Sequence, residues 1–398
     1  MKVRAIIVVL LAISLLAAGI VGQKSAYSTA KHNPLLSQFA HLIYGRTAVA
    51  AGLQLDSDLI RLNQYPAAAQ AVGDVRPTLN LLPASGSTLA RAAGSTVTYL
   101  NFTYAPSNTT LPAGDGLYST GQMWNGKTIY VSSKLSGPDK VPRTIFIKND
   151  DGSYSSYALT DVPAVYVYTL YGTFNTDETV AFGMVNDHGG DVELNNPSPW
   201  VIQENVNGTW KTVYAPVAIQ VITPLDQGQT TEWSWDQKLD NGTAADFGEY
   251  RALVQDKYVA PFTISKGSPL VDSRFTTYDN ATANEAFGNT PQAKAFSDVY
   301  SASLYSNELR DELMSQMQFK AWMRGLDAGA LKSAIVSTKE YASNDTALPC
   351  LAVHSRYNNQ PAWFIVFSGG AETGITSYPL FYVVSDNTGK QLCTYRCR

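Results

Sequence analysis

The fold is decided by two runs, WVIQENVNGTWKTVY at residues 200–214 and ITPLDQGQTTEWSWDQKLDNGTAADFGEY at residues 222–250. Trp200, Ile202 and Glu204 alternate with Val201 and Gln203, the period-two pattern of a strand with one face buried. Asn207-Gly208 is a two-residue hairpin signal, because both central residues of that turn need positive φ. Lys211 to Tyr214 then read as the returning strand. After Asp226-Gln227-Gly228, the side chains of Thr231, Trp233 and Trp235 point one way and those of Glu232, Ser234 and Asp236 the other. Asn241-Gly242 turns again, and Phe247 to Val254 alternate as a last strand. Large aromatics at period two suit the inner faces of two packed sheets. The stretch predicts a β-sandwich.

These residues also carry a resemblance. LDQGQTTEWSWDQ, NGT and FGEYRA resemble the closing half of a prokaryotic immunoglobulin-like domain, of the group that holds the proteinase-inhibitor-type (BsuPI-like) and flagellar hook-capping domains. Gly228, Trp235, Gly242, Gly248 and Tyr250 match that pattern, whereas Gln227 stands where proline is usual. The resemblance spans about residues 163–265. It implies an Ig-like sandwich with Trp200, Trp233, Trp235 and Tyr250 in its core, and it implies a fold more than an activity.

Working outward, Lys2 and Arg4 precede an apolar run from Ala5 to Val21, so residues 1–24 read as a cleaved signal peptide or, alternatively, an uncleaved membrane anchor. Either exports the rest. Residues 25–93 suggest two short amphipathic helices and a Pro/Gly/Ser-bearing connector. From Ser95 the period becomes two, with hairpin signals at Asn125-Gly126 and Asp151-Gly152, so residues 94–162 predict a small β domain. Residues 266–292, rich in Gly, Ser, Thr and Asn, read as a linker. Residues 293–398 predict an α+β domain. Within it Leu309, Leu313, Met317, Trp322 and Met323 form the apolar stripe of a helix over 307–324, which Gly325 ends. A second helix over 328–339 and antiparallel strands follow. The turn Asp386-Asn387-Thr388-Gly389-Lys390 resembles the D-x-x-T-G-K hairpin of PepSY-type domains. The expected class is therefore mainly β and multi-domain: an Ig-like sandwich between a small β-rich domain and a C-terminal α+β domain.

Composition restricts function. Charged residues make up 16% and the net charge is −4, with no basic cluster, which argues against nucleic-acid binding. Asn-x-Ser/Thr sequons at Asn101, Asn108, Asn207, Asn241, Asn280 and Asn344 are candidate glycosylation sites. The cysteines are Cys350, Cys393 and Cys397. In an exported chain a disulfide is expected. Cys393 and Cys397 on one extended strand would lie roughly 13 Å apart, too far to bridge. The expected pair is Cys350 with Cys393, in preference to Cys397. Cys350 and His354 on one strand would share a face roughly 13 Å apart, too far for a catalytic pair. The spacing of Asp236, Asp240 and Asn241 is loosely calcium-like but is explained by a turn. Neither metal ligands, a cofactor motif nor catalytic residues can be nominated. The expectation is an exported, non-catalytic cell-envelope or extracellular protein with protein partners, touching a membrane only through residues 1–24 if these stay uncleaved. The resemblance to the BsuPI-like group implies the alternative, a secreted proteinase inhibitor presenting residues 186–190 or 195–199, and an enzyme with a site dispersed between domains is the third.

Overall fold

The computed structural model describes residues 95–398 except 112–115, 136–140, 188–189, 289, 301–305, 339–340, 342–346, 370–379, 387 and 397–398. The expected leader, the helices of residues 25–93, Asn344 and Cys397 lie outside the described residues. All described residues belong to one compact unit, Arg76–Arg398. They are mostly β, arranged in several sheets, with helices around the C-terminal sheet.

The first sheet is antiparallel and contains β1 (Val97–Tyr99), β2 (Phe102–Ser107), β3 (Leu117–Trp124), β4 (Lys127–Ser132), β5 (Thr144–Lys148) and β6 (Tyr154–Leu159), in the order β1-β2-β6-β5-β4-β3. Asn125 and Gly126 both take positive φ (48° and 76°) and close the β3–β4 hairpin in two residues, as that dipeptide dictates.

Residues 165–264 form two further layers. A three-stranded sheet runs β14-β9-β7, from β7 (Val165–Thr169), β9 (Val180–Asn186) and β14 (Gln229–Trp235). A five-stranded sheet runs β12-β11-β15-β16-β8, from β8 (Thr173–Phe174), β11 (Trp200–Val206), β12 (Thr209–Tyr214), β15 (Gly248–Val254) and β16 (Tyr258–Ile264). β10 (Val192–Leu194) and β13 (Thr223–Leu225) pair separately. Between the layers, Phe182 meets Trp200 edge to face at 5.0 Å, and Trp235, Tyr250 and Phe262 continue the aromatic chain at 5.8–6.3 Å. Trp200, Trp235 and Tyr250 are buried, while Trp233 is half-buried at the core's margin and donates its indole N–H to Pro197 O at 2.8 Å. The apolar core continues without a break into the first sheet through Phe102, Tyr104 and Tyr166. The stretches expected as two β domains thus share one interior.

The C-terminal sheet runs β17-β18-β19-β20-β21, from β17 (Leu270–Tyr278), β18 (Ala347–Tyr357), β19 (Gln360–Gly369), β20 (Leu380–Ser385) and β21 (Gln391–Arg396). β17 is parallel to β18, and the other pairs are antiparallel. Helices α1 (Asn280–Phe287) and α2 (Pro291–Val299) cover one face through Phe287 and Phe296. Helices α3 (Asn307–Met323) and α4 (Ala328–Val336) cover the other through Met314, Met317, Leu331 and Ile335. Both faces being dry, β19 reads WFIVF without alternation.

This corrects the expected linker over 266–292. That segment supplies β17, then α1 opened by an Asp279–Thr282 capping box. β17 is an edge strand whose residues 273–277 are exposed, so its Ser/Thr content is that of a wet edge.

Helix α3 is the joint of the molecule. Leu313, Met317 and Phe319 each enter a different apolar cluster. Toward the first sheet, Glu312 accepts the hydroxyls of Ser119 and Tyr130, and Ser315 Oγ accepts the Ser119 N–H at 2.9 Å. Among the described residues no helix is long and apolar enough to cross a membrane.

Candidate functional site

Where α3 meets the β8–β9 turn, the fold buries a set of charges. The turn is held by local hydrogen bonds. Asn175 Oδ1 accepts the Asp177 N–H at 3.3 Å, and Glu178 N–H closes on Asn175 O at 3.1 Å. The Glu178 carboxylate folds back so that Oε2 accepts the Asn175 N–H at 2.9 Å. Gln237, held at φ 61°, fastens the turn by donating Nε2–H to the carbonyls of Asn175 and Glu178 at 2.7 and 2.6 Å.

Two cations reach this turn from α3. Lys320 Nζ donates to Glu178 Oε2 at 2.7 Å and to Ser268 Oγ at 2.9 Å. Arg324 Nη2 donates to Glu178 Oε1 at 3.1 Å, and its Nε and Nη2 donate to the Tyr171 hydroxyl at 3.2 and 2.9 Å. Tyr171 in turn donates to Glu178 Oε1. The side chains of Glu178 and Lys320 are 1% and 3% exposed. Lys320 Nζ also lies 4.8 Å from the Tyr171 ring centroid, a cation–π contact.

Burial pulls the Lys320 ammonium below its ordinary range, and Glu178 opposes that shift without cancelling it. Burial also pushes the Tyr171 phenol well above its ordinary range, and the neighbouring carboxylate pushes the same way. Tyr171 is thus a neutral hydrogen-bond donor at any physiological pH. For Arg324, burial acts downward but is outweighed by Tyr171 and Glu178, so the guanidinium is held charged.

Beside the cluster a cleft of about 140 Å³ is bounded by Asp177, Glu178, Asp272, Arg274, Gln292 and Arg324, among others. Gln292 donates to Asp177 at 2.9 Å across it, and Arg274 Nε donates to Asp272 at 3.0 Å.

A smaller polar set lies on the C-terminal sheet. His354 Nε2 is 3.1 Å from Asp386 Oδ2, and the Trp363 indole donates to Asp386 Oδ1 at 2.9 Å. Burial alone would raise the Asp386 carboxyl, but the His354 and Trp363 hydrogen bonds and the His354 charge bring it below its usual value.

The cysteine expectation is corrected. Cys350 lies on β18 and Cys393 on β21, with β19 and β20 between them, so their strands are three steps or roughly 14 Å apart, beyond a disulfide's reach. Both thiols are free. Cys350 is the bulged residue between the Pro349↔Phe367 and Leu351↔Val366 pairs. Its thiol faces α1 and α2, meets Val366 O at 3.4 Å, and is pushed up to about 12 by burial. The bulge also corrects the expected shared face, because His354 stacks on Trp363 on the opposite side of the sheet.

Asn101, Asn108, Asn207 and Asn241 are exposed in turns or loops. Asn280 opens α1, and its Oδ1 accepts from the Tyr357 hydroxyl and, at 3.7 Å, from the Cys393 thiol. Asp240 Oδ1 accepts the Ala215 N–H at 3.1 Å, and Asn241 Oδ1 accepts the Thr243 N–H at 3.0 Å. Among the described residues no group of three or more His, Cys, Asp or Glu side chains is placed to hold a metal ion.

The buried cluster itself escaped the sequence reading. One signal could have found it: Lys320 and Arg324 continue the i+4, i+3, i+4 stripe of Leu313 and Met317, so two cations occupy positions that face the interior. Comparison of the chain with protein-family models, with curated proteins and with solved structures gives no match.

Proposed function

We propose that the chain is an exported, non-catalytic cell-envelope or extracellular protein that binds a protein partner through an Ig-like β-sandwich. One observation carries this reading. The stretch APVAIQVI at 215–222 leaves edge strand β12 uncharged, apolar and exposed: Val217 fully, Ile219 at 63% and Ile222 at 65%. Isolated exposed apolar residues are ordinary, whereas a contiguous run marks an interaction site.

The run lies outside any strand, and β12 pairs only with β11 among the described strands. An apolar segment continuing an edge strand suits β-augmentation, in which backbone hydrogen bonds supply affinity and alternate side chains supply specificity. A lipid surface fits it less well, because backbone groups outside secondary structure are costly in hydrocarbon. The Ig-like assignment is supported by Tyr250, whose hydroxyl returns to Asp246 O at 2.9 Å, four residues upstream, in the manner of a tyrosine corner.

The test is cross-linking of the full chain to host surface and medium proteins, read by mass spectrometry, with exposed Lys211 on β12 as the reactive handle. Specific cross-links from Lys211 should disappear in a V217D/I219D variant that keeps the wild-type circular dichroism. Unchanged partners and yields in that variant refute the reading. One protease trapped at residues 186–190 or 195–199 would replace it with inhibition.

A further inference from the structure

Glu178 holds one negative charge between Lys320, whose side chain is 3% exposed, and Arg324, which is half-buried at the edge of the cleft. A guanidinium keeps its proton in any protein environment. The surplus positive charge of the trio can therefore be shed only by Lys320. Once deprotonated, its Nζ is a nucleophile in a water-poor pocket.

The Asn175 carboxamide carbon is an electrophile on the same turn, linked to these groups through the Asn175 main-chain N–H on Glu178 and through Ser268. Glu178 Oε2, which receives Lys320 Nζ, also receives the Asn175 N–H. Ser268 holds both side chains at once: its Oγ accepts Lys320 Nζ at 2.9 Å, and its carbonyl accepts Asn175 Nδ2 at 2.6 Å. The Asn175 carbonyl oxygen meanwhile receives the Asp177 N–H at 3.3 Å and the Thr176 hydroxyl at 3.5 Å. Both contacts are longer than the roughly 2.7–3.1 Å of an oxyanion donor and have to close as negative charge develops on that oxygen.

We propose that Lys320 and Asn175 become joined by an intramolecular isopeptide bond, Nζ to Cγ, with Glu178 as the proton carrier. Glu178 takes a proton from the Lys320 ammonium. The free amine attacks Cγ, placing negative charge on Oδ1 opposite Asp177 and Thr176. Glu178 passes its proton to Nδ2 and takes the second proton from Nζ. The Cγ–Nδ2 bond breaks, and the leaving nitrogen, having gained both protons, departs as ammonium. One C–N bond forms and one breaks, nothing is oxidised or reduced, and Glu178 ends as the carboxylate. The product leaves a neutral Glu178–Arg324 pair, so loss of the surplus buried cation favours the reaction. The bond ties the β8–β9 turn to α3.

The test is the mass of peptides from the full-length wild-type chain, denatured and digested with trypsin. The expected product is a branched peptide joining the Asn175 and Lys320 segments, lighter than their sum by one ammonia, with no cleavage after Lys320. Lys320→Arg, which keeps the cation but lacks the amine, and Glu178→Gln should give only linear peptides. Cleavage after Lys320 with an intact Asn175 carboxamide in the wild-type chain overturns the proposal. So does a bond from Lys320 to Glu178, which would be lighter by one water instead. A branched peptide persisting in Glu178→Gln overturns the role given to Glu178. The wild-type measurement decides the bond itself even where a variant fails to fold.

Discussion

Gly183→Ala and Gly190→Ala add the same methyl group to neighbouring parts of the sandwich with opposite expected results. Gly183 lies on β9, central in its sheet, between Tyr168 on β7 and Glu232 on β14. A Cβ there would come within 2.8 Å of both Thr231 O and Tyr168 Oη. The first is backbone of a paired strand and cannot turn away. The second is fixed by its 2.7 Å hydrogen bond to Glu232. Overpacking costs about 1–3 kcal/mol, and displacing the tyrosine also risks a charged hydrogen bond of about 1.5–3 kcal/mol. Against these stands a gain of about 0.4–1 kcal/mol from the stiffer unfolded chain. Gly183→Ala should thus destabilise by about 2–3 kcal/mol. At Gly190 nothing lies within 4 Å of the added carbon, so only the gain remains. Urea unfolding followed by tryptophan fluorescence gives both values from the midpoint shift and the slope. A Gly183→Ala chain within about 0.5 kcal/mol of Gly190→Ala would refute the packing argument. Removing the tyrosine as well, in G183A/Y168A, should not restore stability, because the Thr231 carbonyl stays in place.

Two further outcomes follow from the C-terminal sheet. In the native chain iodoacetamide should alkylate Cys393 well before Cys350, which reacts only on unfolding; equal rates would contradict the burial of Cys350 on the α1–α2 side. The Asp386 carboxyl is depressed in the folded state, so its contribution is complete above the unfolded value of about 3.9 and drains away as pH falls through the lower folded value. Acid titration of stability should accordingly be steeper below about pH 4 for the wild type than for Asp386→Asn, and superimposable curves would show that the His354–Trp363 bonds contribute nothing.

Much of the fold was legible because it is encoded locally. Asn125-Gly126 and Asn207-Gly208 turn where the dipeptide requires, all four residues at positive φ. Thr231, Trp233 and Trp235 are the less exposed side of β14 and Glu232 and Ser234 the exposed side, as period two predicts. α3 spans Asn307–Met323, close to the range its apolar stripe defines. What failed was encoded at a distance. β17 has the composition of a linker and becomes a strand only because β18, some eighty residues later, offers it a partner. A one-residue bulge moved Cys350 to the other face, and alternation counted along the strand cannot register that shift. The Glu178–Lys320 pair joins positions 142 residues apart, and neither residue lies in a motif.

The parallel pairing of β17 with β18 sets a timetable. Residues 270–278 emerge from synthesis long before residues 347–357, and α1 to α4 lie between them. Until then the dry faces of the last sheet do not exist, and until α3 emerges Glu178 waits in its turn without the cations it will enclose. A chain cut short before α3 would carry an unmatched carboxylate at the seam and an uncovered flank on β3. Incomplete copies should therefore be conspicuous to proteases, and resistance to digestion becomes a readout that the last strand has arrived.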